Sequence, residues 1–243
     1  MGVAASVSIV VPALNEASTI DATVQRLRQD FPDCEIVVVD GGSSDDTAAL
    51  AGRHAPVVRS PAGRARQMNE GAARTTGDVL WFIHADTVVD AAALPQLRAA
   101  LLDPRVVGGG LTLHFDPRSP ALDFLARTST IRARRIGHIF GDQAMFVRRP
   151  VFDRLGGFPP LPLMEDLEFS RRLRTQGRTV VLSATSTASS RRLVKHGTVR
   201  MIVFMQYLKL LYLGGVSPER IRRRYEAGPG VRLPRTERTA GVG

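Results

Sequence analysis

Residues 81–87, WFIHADT, run from apolar side chains straight into His84 and Asp86, two groups one residue apart that can hold a cation. A second pair of acids, Glu165 and Asp166 in LPLMEDLEFS, follows a proline-containing loop. Carboxylates and an imidazole are what a protein uses to bind a hard divalent cation and to move a proton. Polar residues also stand where two other apolar runs stop: Asn15 and Glu16 in PALNE, and Asp40 to Thr47 in DGGSSDDT. Each has a plain structural explanation when taken singly. Asn15 or Ser44 caps a helix, Gly41 and Gly42 turn the chain, His84 finishes a strand, and acids open a helix whose dipole favours them. Together they leave Glu16, Asp40 and Asp86 without one.

Such residues act in concert only if the chain sets them side by side. VSIVVP (7–12), EIVVVD (35–40), PVVRS (56–60) and DVLWFIH (78–84) are apolar runs of strand length, mostly continuous, as expected of strands buried on both faces. Between them STIDATVQRLRQD puts Ile20, Val24 and Leu27 on one helix face, with Asn15 or Ser18 as its cap. SDDTAALAGRH and GRARQMNEGAARTTG supply the next two helices. The alternation predicts an α/β fold: a single open, mostly parallel, twisted sheet with helices on both faces. Ligands of such sheets bind beyond the carboxyl ends of the strands, where PALNE, DGGSSDDT and HADT stand. Further on, RVVGGGLTLHF (105–115) reads as a strand whose glycines admit a close backbone approach. VRMIVFMQYLKLLYLGGVSP (199–218) reads as an apolar helix, too short to span a bilayer but fit for an interfacial or dimer-forming role. One domain is expected over 1–218, in two halves divided near residue 90, followed by a basic, flexible tail at 219–243.

Composition excludes several functions. Thirty-three Lys and Arg stand against 23 Asp and Glu, for a net charge of +10, but only 6% of residues are aromatic and none are interleaved with the arginine clusters. A base-stacking nucleic-acid platform is therefore not expected. The single cysteine, Cys34, cannot form an internal disulfide and suits a reducing compartment. With no basic n-region at the N-terminus and no long apolar span, a cytoplasmic protein is expected, with peripheral contact at the inner membrane face through 199–213 or a homodimer there left open. Neither G-x-G-x-x-G nor a P-loop follows the first strand. The acid at the tip of the second strand can instead accept a hydrogen bond from a base N–H or a ribose hydroxyl, so a nucleotide would be held by its edge.

Four segments, SIVVPALNEASTI, EIVVVDGGSSDDT, GDVLWFIHADT and MEDLEFSRRLRTQG, in this order, resemble family 2 glycosyltransferases of the GT-A fold over residues 7–213. GRARQMNEGA, FGDQAMFVRR and SSRRLVKHG narrow the resemblance to a bacterial subgroup associated with arsenosugar biosynthesis or with radical-SAM and selenodomain proteins. The resemblance implies an inverting, hexosyltransferase-type transfer from a nucleotide-diphosphate sugar, usually a UDP-sugar, to an acceptor left open. It implies a Rossmann-like nucleotide-sugar-binding half at 1–90 and an acceptor half at 91–218. Pro12, Ala13, Asn15 and Glu16 would line the nucleoside pocket, Asp40 would meet the uracil edge, and Gly41 to Ser43 would shape that wall. Arg64 and Gln67 would approach the base or diphosphate, although Arg64 equally reads as a solvated arginine.

The family usually writes the HADT strand end as Asp-x-Asp. Here His84 takes the first place, with Ala85 between, and Asp86 remains to hold Mn²⁺ or Mg²⁺ on the diphosphate. His84 would touch the nucleotide or simply end the strand. By family position Asp166 is the general base and Glu165 its neighbour or an acceptor contact. Asp142 and Gln143 would meet the acceptor, or form a polar turn. Arg191, Arg192 and His196 would lie in a loop closing over the diphosphate, the arginines offsetting its charge and His196 serving as a second metal ligand; a basic solvated face is the competing explanation. Two other classes stay in view. A pyrophosphorylase-like nucleotidyltransferase wants a glycine-rich basic loop where this chain has the acidic PALNEAST. A non-catalytic nucleotide- or nucleic-acid-binding protein would not need both Asp86 and Asp166.

Overall fold

The computed structural model describes residues 5–195 and 197–229. Every residue of β1 (Val7–Ala13) is buried. Its side chains alternate between two cores, Val7, Ile9, Val11 and Ala13 in one and Val10 in the other. β2 (Glu35–Asp40) divides in the same way, Ile36 and Val38 from Val37 and Val39, as does β4 (Val79–Phe82), Val79 and Trp81 from Leu80 and Phe82. Strands apolar on both faces need cover on both faces. α1 (Ile20–Asp30) and α2 (Thr47–Ala51) cover the first with Ile20, Val24, Leu27 and Ala51. α3 (Arg64–Ala73) covers the second with Met68 and Ala72. β3 (Val57–Arg59) adds to β2, so β3, β2, β1 and β4 form one parallel run.

Beyond β4 the sheet is mixed. Its remaining strands are β5 (Thr87–Val89), β6 (Val106–Asp116), β7 (Phe146–Arg148) and β8 (Arg178–Ser189), and the full order is β3-β2-β1-β4-β7-β6-β8-β5. β7 runs antiparallel to both β4 and β6, and β5 antiparallel to β8, while β6 and β8 are parallel. The sheet is mostly parallel, as expected: the first four strands are parallel throughout, and in the second half β6 and β8 are parallel while β5 and β7 run antiparallel to their neighbours. The chain reaches β7 from β6 through a helix over Pro120–Ile136 and a 3-10 turn, Gly141–Gln143. Glycine makes the crowded centre feasible: a Cβ on Gly109 would lie 2.3 Å from the Val180 carbonyl oxygen and 2.6 Å from the Phe146 ring.

The remaining helices are α4 (Ala93–Ala100), α5 (Pro120–Ile136), α6 (Arg149–Arg154), α7 (Glu165–Gln176), α8 (Arg191–Lys195), α9 (Thr198–Leu213) and α10 (Pro218–Ala227). Under β4 and α7, Phe82, Phe152, Phe158 and Phe169 pack ring to ring, with centroids 4.4 Å apart for Phe158–Phe169 and 4.9 Å for Phe82–Phe158. Such contacts contribute about 0.5–1.5 kcal/mol each beyond simple burial. They fix the start of α7 against the end of β4, and so bring MED and HADT together.

The last helices pack as a smaller cluster with Phe140, Met164 and Leu167, through Met201, Phe204, Leu208 and Ile221. The stretch expected to be a flexible tail from 219 therefore opens as α10, anchored by a fully buried Ile221. One apolar side chain amid PERIRRRYEA suffices when a neighbouring helix presents an apolar surface, which composition alone does not reveal. The rest of that tail, 230–243, lies outside the described residues. Among the described residues no helix is long and apolar enough to cross a membrane.

Candidate active site

The loops after β1 and β2 are stitched to each other rather than to the helices they precede. Neither Asn15 nor Ser18 caps α1; the Thr19 and Ile20 amides use the Glu16 carbonyl. Asn15, at φ 54°, takes the left-handed conformation that asparagine tolerates better than most residues. Its amide donates to Ser43 Oγ (2.9 Å) and its Oδ1 accepts from the Ser44 amide (2.9 Å). The Glu16 amide donates to Thr47 Oγ1 at 2.8 Å, and the Ala17 amide to Asp45 Oδ2 at 3.2 Å. Asp40 is buried and tied into its own turn: its carboxylate accepts from the Gly42 and Ser43 amides and, at 2.5 Å, from the Ser43 hydroxyl. Gln67 donates to the carbonyls of Ala13 (2.7 Å) and Val39 (2.9 Å), joining the ends of β1 and β2.

Asp86 lies just past β4 with its carboxylate 27% exposed. Arg191, at the start of α8, reaches across to it. Its Nη2 is 3.8 Å from Asp86 Oδ2 and 3.1 Å from Glu16 Oε2, while Nη1 donates to Ser18 Oγ at 2.8 Å. A guanidinium therefore bridges the two acids at the rim. Among the described residues no group of three or more His, Cys, Asp or Glu is placed to hold a metal ion. A hard cation at Asp86 would need oxygens from a bound ligand to fill its shell, as cations that ride on phosphates do. The carboxylate donors at this rim, already facing a positive charge, fit such an ion. His196, and the side chain of Arg192, lie outside the described residues.

The second acid pair is built differently. Met164 adopts φ 70° and turns the chain so that Glu165 and Asp166 open α7. Asp166 accepts two backbone hydrogen bonds, from Leu167 N–H at 2.7 Å and from Gly141 N–H at 3.0 Å. Glu165 is only 3% exposed, and Arg64 Nη1 stands 3.5 Å from its Oε1. Burial pushes the Glu165 carboxyl up to about 7; the neighbouring Asp166 adds to the rise and Arg64 opposes it. Gly141 explains His84: a Cβ at residue 141 would sit 2.6 Å from His84 Nε2 and 2.7 Å from Cε1. The imidazole is thus packed against the turn whose amide holds Asp166, and the two acidic motifs meet through a glycine.

A cavity of about 490 Å³ opens over these groups. Of the expected residues, Pro12, Ala13, Glu16, Arg64, Gln67, His84, Ala85, Asp86, Asp142, Glu165 and Asp166 line it. Asn15, Asp40, Gly41, Ser43, Gln143 and Arg191 are not part of the lining; Gln143, fully buried, donates to the Leu111 carbonyl and accepts from the Phe140 amide. Asp142 turns its carboxyl to the cavity, and its Oδ1 is buried without a protein hydrogen-bond partner. Burial raises its pKa, an effect that Lys209 opposes.

Sequence reasoning missed the far wall. Phe140 has Arg132 Cζ 3.9 Å and Lys209 Nζ 4.4 Å from its ring centre, a cation–π arrangement that draws on residues 77 positions apart in the chain (209 − 132). Burial lowers the Lys209 pKa, and the Arg132 charge lowers it further. Met201, Met205 and Gln206 of α9 complete this wall. No spacing rule links them to the acids; only the apolar character of 199–213 hinted that this helix covers something.

Residues 8–156 match the family model described as glycosyl transferase family 2. An uncharacterised glycosyltransferase of Mycobacterium tuberculosis is 36% identical over 98 residues, which cover 40% of this chain and 44% of that protein. Glucosyl-3-phosphoglycerate synthase of Mycolicibacterium smegmatis is 32% identical over 110 residues, covering 40% of this chain and 36% of the synthase. The chain thus matches less than half the length of these relatives. Among solved structures, the Mycobacterium tuberculosis glucosyl-3-phosphoglycerate synthase in complex with Mn²⁺, UDP and phosphoglyceric acid superposes with a TM-score of 0.59 at 21% identity, covering 87% of this chain and 79% of that one. Staphylococcus aureus TarS 1–349 in complex with UDP-GlcNAc gives 0.62 at 18% identity, covering 76% and 58%. These likenesses are of fold. The narrower subgroup resemblance finds no support among these matches.

Proposed function

The chain belongs to glycosyl transferase family 2, with the GT-A fold, and from that premise we propose that it transfers a sugar from a nucleotide-diphosphate sugar to an acceptor hydroxyl with inversion at the anomeric carbon. The observation that carries this is the single cavity in which Glu16 and Asp86 from the strand ends meet Asp166 from the start of α7. UDP is the favoured nucleotide, since both solved neighbours were captured with a uridine diphosphate compound. Residues 1–90 form the donor half and 91–218 the acceptor half. Asn15, Asp40 and Ser43 act as the frame of the nucleoside wall, with Pro12, Ala13 and Gln67 facing the ligand.

Asp86 would hold a divalent cation, Mn²⁺ or Mg²⁺, whose chemistry here is to neutralise the diphosphate leaving group. The chain's own residues do the rest. Asp166, oriented by the Gly141 and Leu167 amides, takes the proton of the acceptor hydroxyl as that oxygen bonds to the anomeric carbon. The bond from that carbon to the diphosphate oxygen breaks, and its electron pair leaves with the nucleotide. Arg64 and Arg191 stand on the side where that charge develops. Asp142, with an acceptor oxygen short of a partner, receives a hydrogen bond from a second hydroxyl of the incoming molecule.

Calorimetric titration with UDP and Mn²⁺ tests the donor side. Asp86→Ala should abolish the metal-dependent part of binding. If UDP, GDP and dTDP all fail to bind the wild type with Mn²⁺ present, the proposal fails. Asp166→Asn should leave UDP affinity within about twofold and lower turnover roughly 10²- to 10⁴-fold. An Asp166→Asn enzyme of normal activity would move the base to Glu165 or to Asp142.

A further inference from the structure

α9 is apolar around its whole circumference, yet only part of it is covered. Met201, Phe204 and Leu208 point into the small core, and Ile202, Met205 and Lys209 face the cavity. Val199, Val203, Tyr207, Leu210 and Leu213 remain exposed, Val199, Val203 and Leu210 by more than 60%. Their spacing of three and four residues puts them in one stripe along the helix. A helix of this kind in a water-soluble setting calls for a partner on its open side. The stripe adjoins the cavity face of the same helix, so whatever covers it sits beside the cavity mouth.

The border of the stripe says which partner. Arg224 of α10 lies over the Tyr207 ring at 5.1 Å, and Arg222 and Arg223 are exposed on the same helix. Arg200, one turn from Val203 and Phe204, is exposed as well. The whole chain carries +10. An apolar strip edged with arginines complements a surface that is apolar inside and negative at its boundary. A second copy would instead bring another chain of net charge +10 against this one, and like charges oppose such a contact.

We propose that the exposed stripe of α9, edged by the α10 arginines, docks this protein on the surface of an anionic lipid bilayer, with the cavity mouth next to the membrane. The helix lies in the interface and does not span it. This docking is independent of the glycosyl-transfer chemistry, and its test does not use turnover.

The experiment is co-sedimentation of the full chain with sucrose-loaded vesicles of phosphatidylcholine alone or of phosphatidylcholine mixed with phosphatidylglycerol. The wild type should pellet with the anionic vesicles and stay in solution with the neutral ones. Val203→Glu/Leu210→Glu places two charges on the stripe at positions that touch neither core nor cavity, and should reduce the bound fraction about tenfold or more. UDP binding of that variant, measured in parallel, should match the wild type and so certify its fold. Arg222→Glu/Arg223→Glu should weaken vesicle binding and make what remains less sensitive to salt. Failure to pellet with anionic vesicles overturns the proposal. So does pelleting that the two glutamates leave unchanged, which would place the contact elsewhere. A dimer in light scattering that the same glutamates dissociate would assign the stripe to a second copy instead.

Discussion

Gly141→Ala is the sharpest perturbation the geometry offers. Its backbone is not in a region reserved for glycine, so the effect of a methyl group is steric. The added Cβ would stand 2.6 Å from His84 Nε2, where ordinary contact begins at 3.4 Å. The difference, 3.4 − 2.6 = 0.8 Å, must be absorbed by moving the imidazole or the turn. His84 Nε2 is buried, so the imidazole and the turn share the displacement. Moving the Gly141 amide by the full amount would stretch its 3.0 Å hydrogen bond to Asp166 to about 3.8 Å, beyond hydrogen-bond range. Losing a hydrogen bond to a charged group costs about 1.5–3 kcal/mol, and a displacement near 1 Å at a reacting group costs on the order of 10²-fold in rate. The expected result is a 10- to 100-fold loss of turnover. Overpacking should lower stability by roughly 1–3 kcal/mol, leaving the variant folded.

The assay need not await the acceptor. Slow hydrolysis of a UDP-sugar with Mn²⁺, in which water stands in for the acceptor, reports on the same base. UDP affinity should stay within about twofold, since the cavity's donor wall is untouched. His84→Ala removes the clashing ring, so the double variant His84→Ala/Gly141→Ala should recover much of the activity that Gly141→Ala loses. Neighbours in contact show such coupling at about 0.5–3 kcal/mol. A Gly141→Ala enzyme as fast as the wild type, or a double variant no faster than Gly141→Ala, would refute the claim that this glycine lets His84 and the Asp166 support share one space.

Two further outcomes follow from the charges. The Glu165 carboxyl titrates at 4.5 as a free group and at about 7 in the fold, so the native state keeps its proton longer. Stability from this group is present below pH 4.5, falls as pH rises toward 7, and is level above. Glu165→Gln should therefore gain in melting temperature over the wild type between pH 5 and 8, and a difference constant across that range would contradict the assignment. Arg191→Ala frees Glu16 and Asp86 of the guanidinium that bridges them, so Mn²⁺ alone should bind a few-fold more tightly by paramagnetic resonance titration. UDP without metal should bind less well to the same variant, and a loss of Mn²⁺ affinity would show that Arg191 does not compete with the cation.

Much of the strand-end polar edge was legible because continuous apolar runs and strand-end polarity are local signals. Val7 to Ala13 announce a strand covered on both faces, and PALNE, DGGSSDDT and HADT must then fall on one edge of the sheet. The mixed second half was not legible, because β7 lies between β4 and β6 and antiparallel to both, a long-range pairing that no local pattern encodes. The residues implied by resemblance divided along a physical line. Glu16 and Asp86 line the cavity with Arg191 beside them, whereas Asp40 and Ser43 bond to each other and Gln143 bonds to the Leu111 carbonyl. The Arg132–Phe140–Lys209 wall was invisible for a different reason: its members come from α5, the 3-10 turn and α9, brought together only by helix packing.

Glu165 and Asp166 are neighbours of like charge in a buried place, and two such carboxylates do not ionise independently. The fold treats them unequally. Asp166 receives two backbone amides, while Glu165 receives burial and an arginine that is itself 42% exposed. Part of the upward push on Glu165 is the negative charge of Asp166. If Asp166 takes the acceptor's proton as proposed, that part disappears, and Glu165 would release its own proton more readily. On the proposed reading, one helical turn sets an oriented proton acceptor, Asp166, beside a carboxyl that burial holds protonated to higher pH than a free one.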